Sequence, residues 1–441
     1  MHIPRPATSG PGAAVAIIGA ALRFPGASDP SSFHEISVAG RRMFRELGAR
    51  DEFAAGQPSR LAALLDDAGG GITARHALAA ETAAAALADV PPAGRAVATE
   101  RIGVFIADMP EPGTGLGPAG ASLHDLLLGT IGAVPAGHDG PGTGTGTRPG
   151  TGTSGNGNGP APGGLHCSLR AVTAACEALN AGEFDMVLAG GVAKGVDSWL
   201  RGHATAEPAD DEVRVYDARP TGSLPGEGCG IVVLARAVDA RIAEVPAYAE
   251  VAGWHYADPA ERIAARVVLP AAYLRAGIDP ADIQFVEGHG AASATEDLAE
   301  LSALLEVLGP HGTTGGRCAL GSVSANIGDM RAAAGIAALL KTAFAMTDDV
   351  IPPSTGCVRP NPLLEGKTAP FRLPAAPEQW PQTPVQLAAV NTLGAAAYPD
   401  GPRTGPVHVV LRRERDLTRR PGRRRKPSPL AATLVPMEVP G

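Results

Sequence analysis

Short apolar runs alternate with Ala-rich stretches of helical spacing along most of the chain. "AAVAIIGAAL" (13–22), "RIGVFIAD" (101–108), "FDMVLAGGV" (184–192) and "GIVVLARA" (230–237) are of strand length. They carry little polar alternation, the pattern of strands covered on both faces. "SLRAVTAACEALNAG" (168–182) repeats its apolar positions every three or four residues and predicts a helix closed by Gly182. The second half repeats the style. "AYAEVAGW" (247–254), "IQFVEGHG" (283–290), "CALGSVSANIG" (318–328) and "VHVVLRRE" (407–414) predict strands, and "AAAGIAALLKTAFAM" (332–346) predicts a helix. Strands alternating with helices predict an α/β fold with mixed or parallel sheets covered on both faces. Two similar halves predict a duplicated α/β unit. The helix from Ser168 is expected to pair with the one from Ala332, since each follows a strand and a glycine-containing turn.

Three stretches break the pattern. Residues 1–12 are a short polar lead-in expected to be flexible. "VPAGHDGPGTGTGTRPGTGTSGNGNGPAPGG" (134–164) is low in complexity, and its glycines maximise chain entropy, so a flexible loop is expected. "RRERDLTRRPGRRRK" (412–426) follows the last apolar run. It reads as a solvated basic tail, with 416–441 disordered, or as a docking segment for an acidic partner. Composition narrows the class. Hydrophobic residues make up 44% and charged residues 19%, which fits a chain that is mostly globular. The net charge of −8 gives no general reason to expect nucleic acid. No apolar run reaches the roughly 18 residues of a membrane helix. "RFPG" follows residue 22 where a leader would need a small-residue cleavage site, so 13–22 reads as a buried strand. Five cysteines form no C-x-x-C pair and have no histidines at ligand spacing, so neither metal nor a disulfide framework is expected, and a cytoplasmic location fits.

Longer motifs then appear in order: "VAIIGAALRFPGASDPSSFHEISVAGR" (15–41), "GEFDMVLAGGV", "VYDARPTGSLPGEGCGIVVLARA", "FVEGHG", "GSVSANIGDMRAAAGIAALLK" and "VHVVL". This series resembles the β-ketoacyl synthase domains of modular polyketide synthases over roughly 13–414. The resemblance implies a thiolase-type αβαβα fold of five layers in two similar halves, here 13–240 and 241–415. It also implies a homodimer as the usual state. In that family a cysteine thiolate takes an acyl group from the phosphopantetheine arm of an acyl carrier protein. Two histidines then promote decarboxylation of a malonyl extender, whose carbanion attacks the acyl-enzyme. The cysteine needs a helix N-terminus, whose dipole and free N–H groups favour thiolate and form an oxyanion hole. The imidazoles donate to the thioester oxygen on which enolate charge develops.

Carried over one residue at a time, the first histidine falls on His289. The second, from the family's N-I-G-H motif, falls on Asp329, because this chain reads "NIGD". An ionised carboxylate only accepts hydrogen bonds, and its charge would repel enolate and malonyl carboxylate alike. The helix lysine of the family falls on Lys341. Counting back without a gap from Leu169, which matches the leucine of T-A-C-S-S-S-L, puts the nucleophile position on Leu165. Cys167 then reads as a displaced nucleophile, and a two-residue deletion would slide it into place. The thiol-arm motif H-G-T-G-T is "HGAAS" here, so Ala291 has lost a hydroxyl and Ser293 keeps one. Asp297 and Glu300 keep acidic positions expected to hold loops together. Leu393 and Gly394 stand in the place of a Phe-Gly gate, and His408 matches the family's last histidine.

The expected function is therefore a ketosynthase-like protein of polyketide biosynthesis that does not condense and pairs with an active partner. Chain-length factors are of this kind. The alternative is an active β-ketoacyl-carrier-protein synthase, acyltransferase or malonyl decarboxylase using Cys167, His289 or both. The expected partners are an acyl carrier protein and a catalytic ketosynthase, or a weak homodimer, with no bound cofactor, nucleic acid or membrane.

Overall fold

A computed structural model describes residues 13–46, 61–66, 72–98, 101–108, 127, 167–195, 212–257, 264–309, 317–365, 369–393 and 405–415. The readings for 1–12, 134–164 and 416–441, and for Leu165 and Gly394, lie outside the described residues.

Apolar runs form the spine of one mixed sheet. Its strands are β1 (Val15–Arg23), β2 (Ile102–Ala107), β3 (Met186–Ala193), β4 (Gly228–Arg236), β5 (Glu250–Tyr256), β6 (Phe285–Glu287), β7 (Cys318–Gly321), β8 (Phe371–Arg372), β9 (Val385–Thr392) and β10 (Val407–Glu414). They lie in the order β8-β7-β6-β9-β10-β5-β1-β4-β3-β2. The middle seam is slight: β1 and β5 are paired only through Val15 with Val251 and Ala16 with Glu250. Outward from it, each half repeats the same orientations. β4 is antiparallel to β1, β3 antiparallel to β4, and β2 parallel to β3. On the other side β10 is antiparallel to β5, β9 antiparallel to β10, and β6 parallel to β9. This is the duplicated unit that the sequence predicts.

Alternate residues of these strands face different layers. Val232 and Leu234 of β4 belong to the central core, whereas Ile231 and Val233 belong to an outer one. Val409 and Leu411 of β10 point inward and Val410 outward. Both faces are covered, which is why the runs are almost continuously apolar. The central core takes in α3 (Ser168–Asn180) and α8 (Ala334–Thr347). Outside the first half lies α2 (Ile72–Asp89), through Leu78, Ala79, Ala83 and Ala86. Outside the second lie α5 (Ala264–Ala276) and α6 (Ala294–Leu308), through Leu269, Ala272, Leu301 and Leu304. The shorter α1 (Pro30–Val38), α4 (Ala237–Ile242) and α7 (Ser324–Ile327) complete the helices described. The stacking is α-β-α-β-α, the thiolase-type fold.

The two central helices meet at their starts. A Cβ on Gly335 would lie 2.8 Å from both the Cβ and the backbone nitrogen of Leu169, so only glycine lets the backbones approach this closely. Beside it the Ser168 hydroxyl accepts a hydrogen bond from the Ile336 N–H at 2.9 Å. The crossing fixes where α3 begins.

Two elements differ from the sequence reading. The strand predicted over 318–328 stops at Gly321, and α7 follows. Ser322 Oγ accepts from the Ser324 N–H at 3.3 Å, a local bond that turns the chain out of extended geometry. The helix predicted from Ala332 begins at Ala334, after a 3₁₀ turn over Arg331–Ala333. β9 had no counterpart in the sequence reading.

Candidate active site

Cys167 occupies the N-cap of α3 in extended conformation (φ −136°, ψ 120°) and is buried. Burial pushes its thiol up from the ordinary value. The N–H groups of Arg170 and Leu169, the Thr392 hydroxyl and the Arg170 charge draw it back down. The first turn of α3 thus favours the ionised sulfur, where a helix offers unpaired donors and the positive end of its dipole, although the Cys167 side chain makes no capping hydrogen bond. Thr392 closes the other side from the end of β9. Its hydroxyl is buried and makes no hydrogen bond of ordinary geometry.

His289 follows β6 on a tightly held turn. Its N–H donates to Glu300 Oε1 at 2.7 Å, and its carbonyl accepts from Ser322 Oγ at 2.9 Å and Ser324 Oγ at 3.1 Å. Gly290, at φ +56°, donates to Glu300 Oε2 at 3.0 Å, and a Cβ there would lie 2.3 Å from Val215 Cγ1. Glu300 is buried in α6 and gathers two further donors, Tyr216 Oη at 2.9 Å and Asn391 Nδ2 at 2.7 Å. Asn391 directly precedes Thr392. One carboxylate therefore ties the His289 turn to the strand end that faces Cys167. Asp297, one turn earlier in α6, accepts from the Tyr216 N–H at 2.8 Å. Burial first, and the Glu300 charge with it, push the Asp297 carboxyl up to about 7. Both acidic residues brace loops, as the sequence suggested.

Asp329 and His289 both act on Glu296 of α6. Burial raises the Glu296 carboxyl, His289 draws it down and Asp329 pushes it up. Asp329 Oδ1 accepts from the Arg331 N–H at 2.8 Å, and its own backbone bonds to Leu224 and Gly226. Non-glycine residues with positive φ gather around this centre: Tyr216 at 54°, Ala292 at 54° and Arg331 at 48°. Backbone strain of this kind clusters where a fold over-determines a functional arrangement.

Lys341 is buried, with Nζ 3.1 Å and 3.0 Å from the two carboxylate oxygens of Glu287. Burial raises the Glu287 carboxyl and Lys341 lowers it. The pair braces β6 against α8 and leaves the lysine no exposed ammonium. Ser293 sits at the N-cap of α6 without a capping bond, 3.2 Å from Thr295 Oγ1. The Ala291 N–H helps draw the Asp297 carboxyl down against burial. Leu393 is half-buried just past β9. His408 is core: buried, 3.4 Å from Asn391 Oδ1, and held down to about 3 by burial. Among the described residues no group of His, Cys, Asp and Glu is arranged to hold a metal ion.

The β-ketoacyl synthase N-terminal domain family matches residues 167–240, and the corresponding C-terminal domain family matches 242–357. The first matched residue is Cys167, and the second segment spans His289, Asp329 and Lys341. Over residues 167–357 the chain is similar to the β-ketoacyl synthase family. Its relatives among curated proteins are polyketide synthases. It is 32% identical over 275 residues to polyketide synthase ThaG of Burkholderia thailandensis, a match covering 58% of this chain and 5% of that one. It is 31% identical over 235 residues to highly reducing polyketide synthase sorA of Penicillium rubens, covering 51% and 9%. The chain thus spans a small part of these relatives. Among solved structures, the ketosynthase from module 6 of the bacillaene synthase of Bacillus subtilis 168 superposes with a TM-score of 0.74 at 22% identity, covering 91% of this chain and 72% of that one. The oxazolomycin ketosynthase domain OzmH KS7 of Streptomyces albus JA3453 gives 0.73 at 23%, covering 93% and 76%. These establish the ketosynthase fold for this chain. Among its described residues no helix is long and apolar enough to cross a membrane.

Three residues of this ketosynthase-family site were not singled out from sequence. Thr392 and Glu296 reach it from separate elements, and no linear motif marks them. Ser324 lay inside a stretch read as strand; its spacing of two from Ser322 was the available signal, since two hydroxyls on one turn can share a carbonyl.

Proposed function

We propose that this chain receives acyl groups as thioesters on Cys167 and does not extend them. The observation that carries the reading is the N-cap position of Cys167, where the N–H groups of Arg170 and Leu169 draw its thiol down against burial. In this reaction the Cys167 sulfur attacks the carbonyl carbon of an acyl thioester on a carrier protein's phosphopantetheine arm. The new C–S bond forms, the bond to the carrier sulfur breaks, and the carrier thiol leaves with the proton given up by Cys167. The α3 amides stabilise charge as it develops on sulfur and carbonyl oxygen. His289 supplies the imidazole for proton transfer.

Extension needs donors on the thioester oxygen of a malonyl unit. Asp329 offers none, and its carboxylate is already held by the Arg331 N–H. A second negative charge beside Glu296 opposes both malonyl binding and enolate formation. The loss of one acid–base contribution is worth roughly 10²–10⁴ in rate.

A second reading, a chain-length-factor-like partner of a catalytic ketosynthase, draws support from the raised Cys167 thiol, because thiolate is the nucleophile. Incubation with an acyl-carrier thioester followed by peptide mass mapping separates the two. An acyl adduct on Cys167, absent from Cys167→Ala, supports acyl acceptance. No adduct, together with a stable complex with a ketosynthase in light scattering, supports the partner reading.

A further inference from the structure

We infer that Thr392 is a positioning residue for Cys167, its hydroxyl reserved as a donor to the sulfur when the thiol ionises. The inference rests on the reading of Cys167 as the acyl acceptor. Residues alternate faces along β9. Asn391 pairs with His408 and points to Glu300, away from the central core. Thr392 is on the opposite face, that of Val390, and pairs with Val407; both valines belong to the central core that contains Cys167 and α3. The strand end is pinned by the Asn391–Glu300 bond, and a β-branched side chain has few rotamers, so the hydroxyl is held on that face.

The residue is 7% exposed, yet Thr392 Oγ1 has no hydrogen bond of ordinary geometry. A buried hydroxyl without a partner is costly, and valine would fill the same space without that cost. The contact nonetheless draws the Cys167 thiol downward. A neutral thiol is a weak acceptor, whereas a thiolate is a strong one, so the hydroxyl gains its partner on ionisation. The N–H groups of the first turn favour the ionised sulfur from the helix side, and Thr392 adds a donor from the sheet side.

The test is the pH dependence of Cys167 alkylation by iodoacetamide. It is resolved from the other four cysteines by peptide mass and compared among the wild-type chain, Thr392→Val and Thr392→Ser. The valine variant is expected to titrate at higher pH and to react roughly fivefold more slowly below its midpoint, the worth of about one net hydrogen bond. The serine variant should keep the wild-type profile. A valine profile that superimposes on wild type overturns the inference, as does a serine variant that behaves like valine. Thr392→Ala gives the same comparison if valine does not fold. Alkylation reads Thr392 independently of acyl transfer: a chain that shows the Thr392 effect but takes no acyl group refutes the proposed function alone.

Discussion

Asp329 carries the chemical departure proposed for this chain. It stands where the resemblance places a histidine, acts with His289 on Glu296, and has a carboxylate that accepts from the Arg331 N–H. Asp329→His restores a donor and removes a charge. It should raise β-ketoacyl formation from acyl and malonyl thioesters by on the order of 10²-fold, read as product per minute at equal Cys167 acylation. An acylated variant with unchanged product would show that the block lies elsewhere, Ala291 being the next residue to restore. Asp297 gives a second prediction. Its carboxyl moves from an ordinary value near 3.8 to about 7, mainly through burial. The folded state therefore binds a proton that the unfolded chain has released between those values, and stability from this group falls as pH rises from about 4 to about 7. Asp297→Asn removes that dependence. Relative to wild type, the variant should gain stability between pH 5 and pH 8 in urea unfolding. An equal offset at both values would contradict the assignment. At this scale the sequence singled out Cys167, His289, Asp329 and Lys341 individually, because each sits in or beside an ordered motif. It did not reveal that Lys341 is spent on Glu287, since the partner is 54 positions away and only the packing of α8 on β6 joins them.

Elements were legible wherever periodicity and end signals agreed. β10 was read to its ends because "VHVVLRRE" is β-branched and follows a Pro-Gly stretch. The helix over 168–182 closes as read, with Gly182 at φ +73°. β9 was missed because "VQLAAVNT" mixes small and polar residues between two apparent loops; its identity comes from pairing with β10 and β6. The register of Cys167 was the harder case. Counting from Leu169 puts the family's cysteine position on Leu165, outside the described residues. The start of α3 is set by its crossing with α8, at Gly335 and Ser168. Gly335→Ala should therefore cost about 2 kcal/mol or more by overpacking against the Leu169 backbone. It should also slow Cys167 alkylation, because it moves the helix N-terminus. Thermal or urea unfolding measures the first effect and peptide-resolved alkylation the second. Full stability with normal alkylation would show that the crossing is looser than its geometry implies.

The described residues form two copies of one α/β unit that share the α3–α8 layer. The proposed site draws on both halves: Cys167 comes from the first and is influenced by Thr392 of the second, which also supplies His289 and Asp329. Duplication was readable from the repeating style of the two halves, whereas the five-layer stacking entered through family resemblance and is borne out by which residues share each core. Residues 167–357 are similar to a condensing family, Asp329 is a carboxylate where the resemblance places a donor, and we propose acyl acceptance without extension. The most direct measurement is intact mass over time of the chain first loaded from an acyl-carrier thioester and then offered malonyl-carrier protein. The expected result is one acyl adduct on Cys167 that persists, with no β-ketoacyl carrier product. Consumption of the adduct with β-ketoacyl product, or the absence of any adduct on Cys167, would contradict the account.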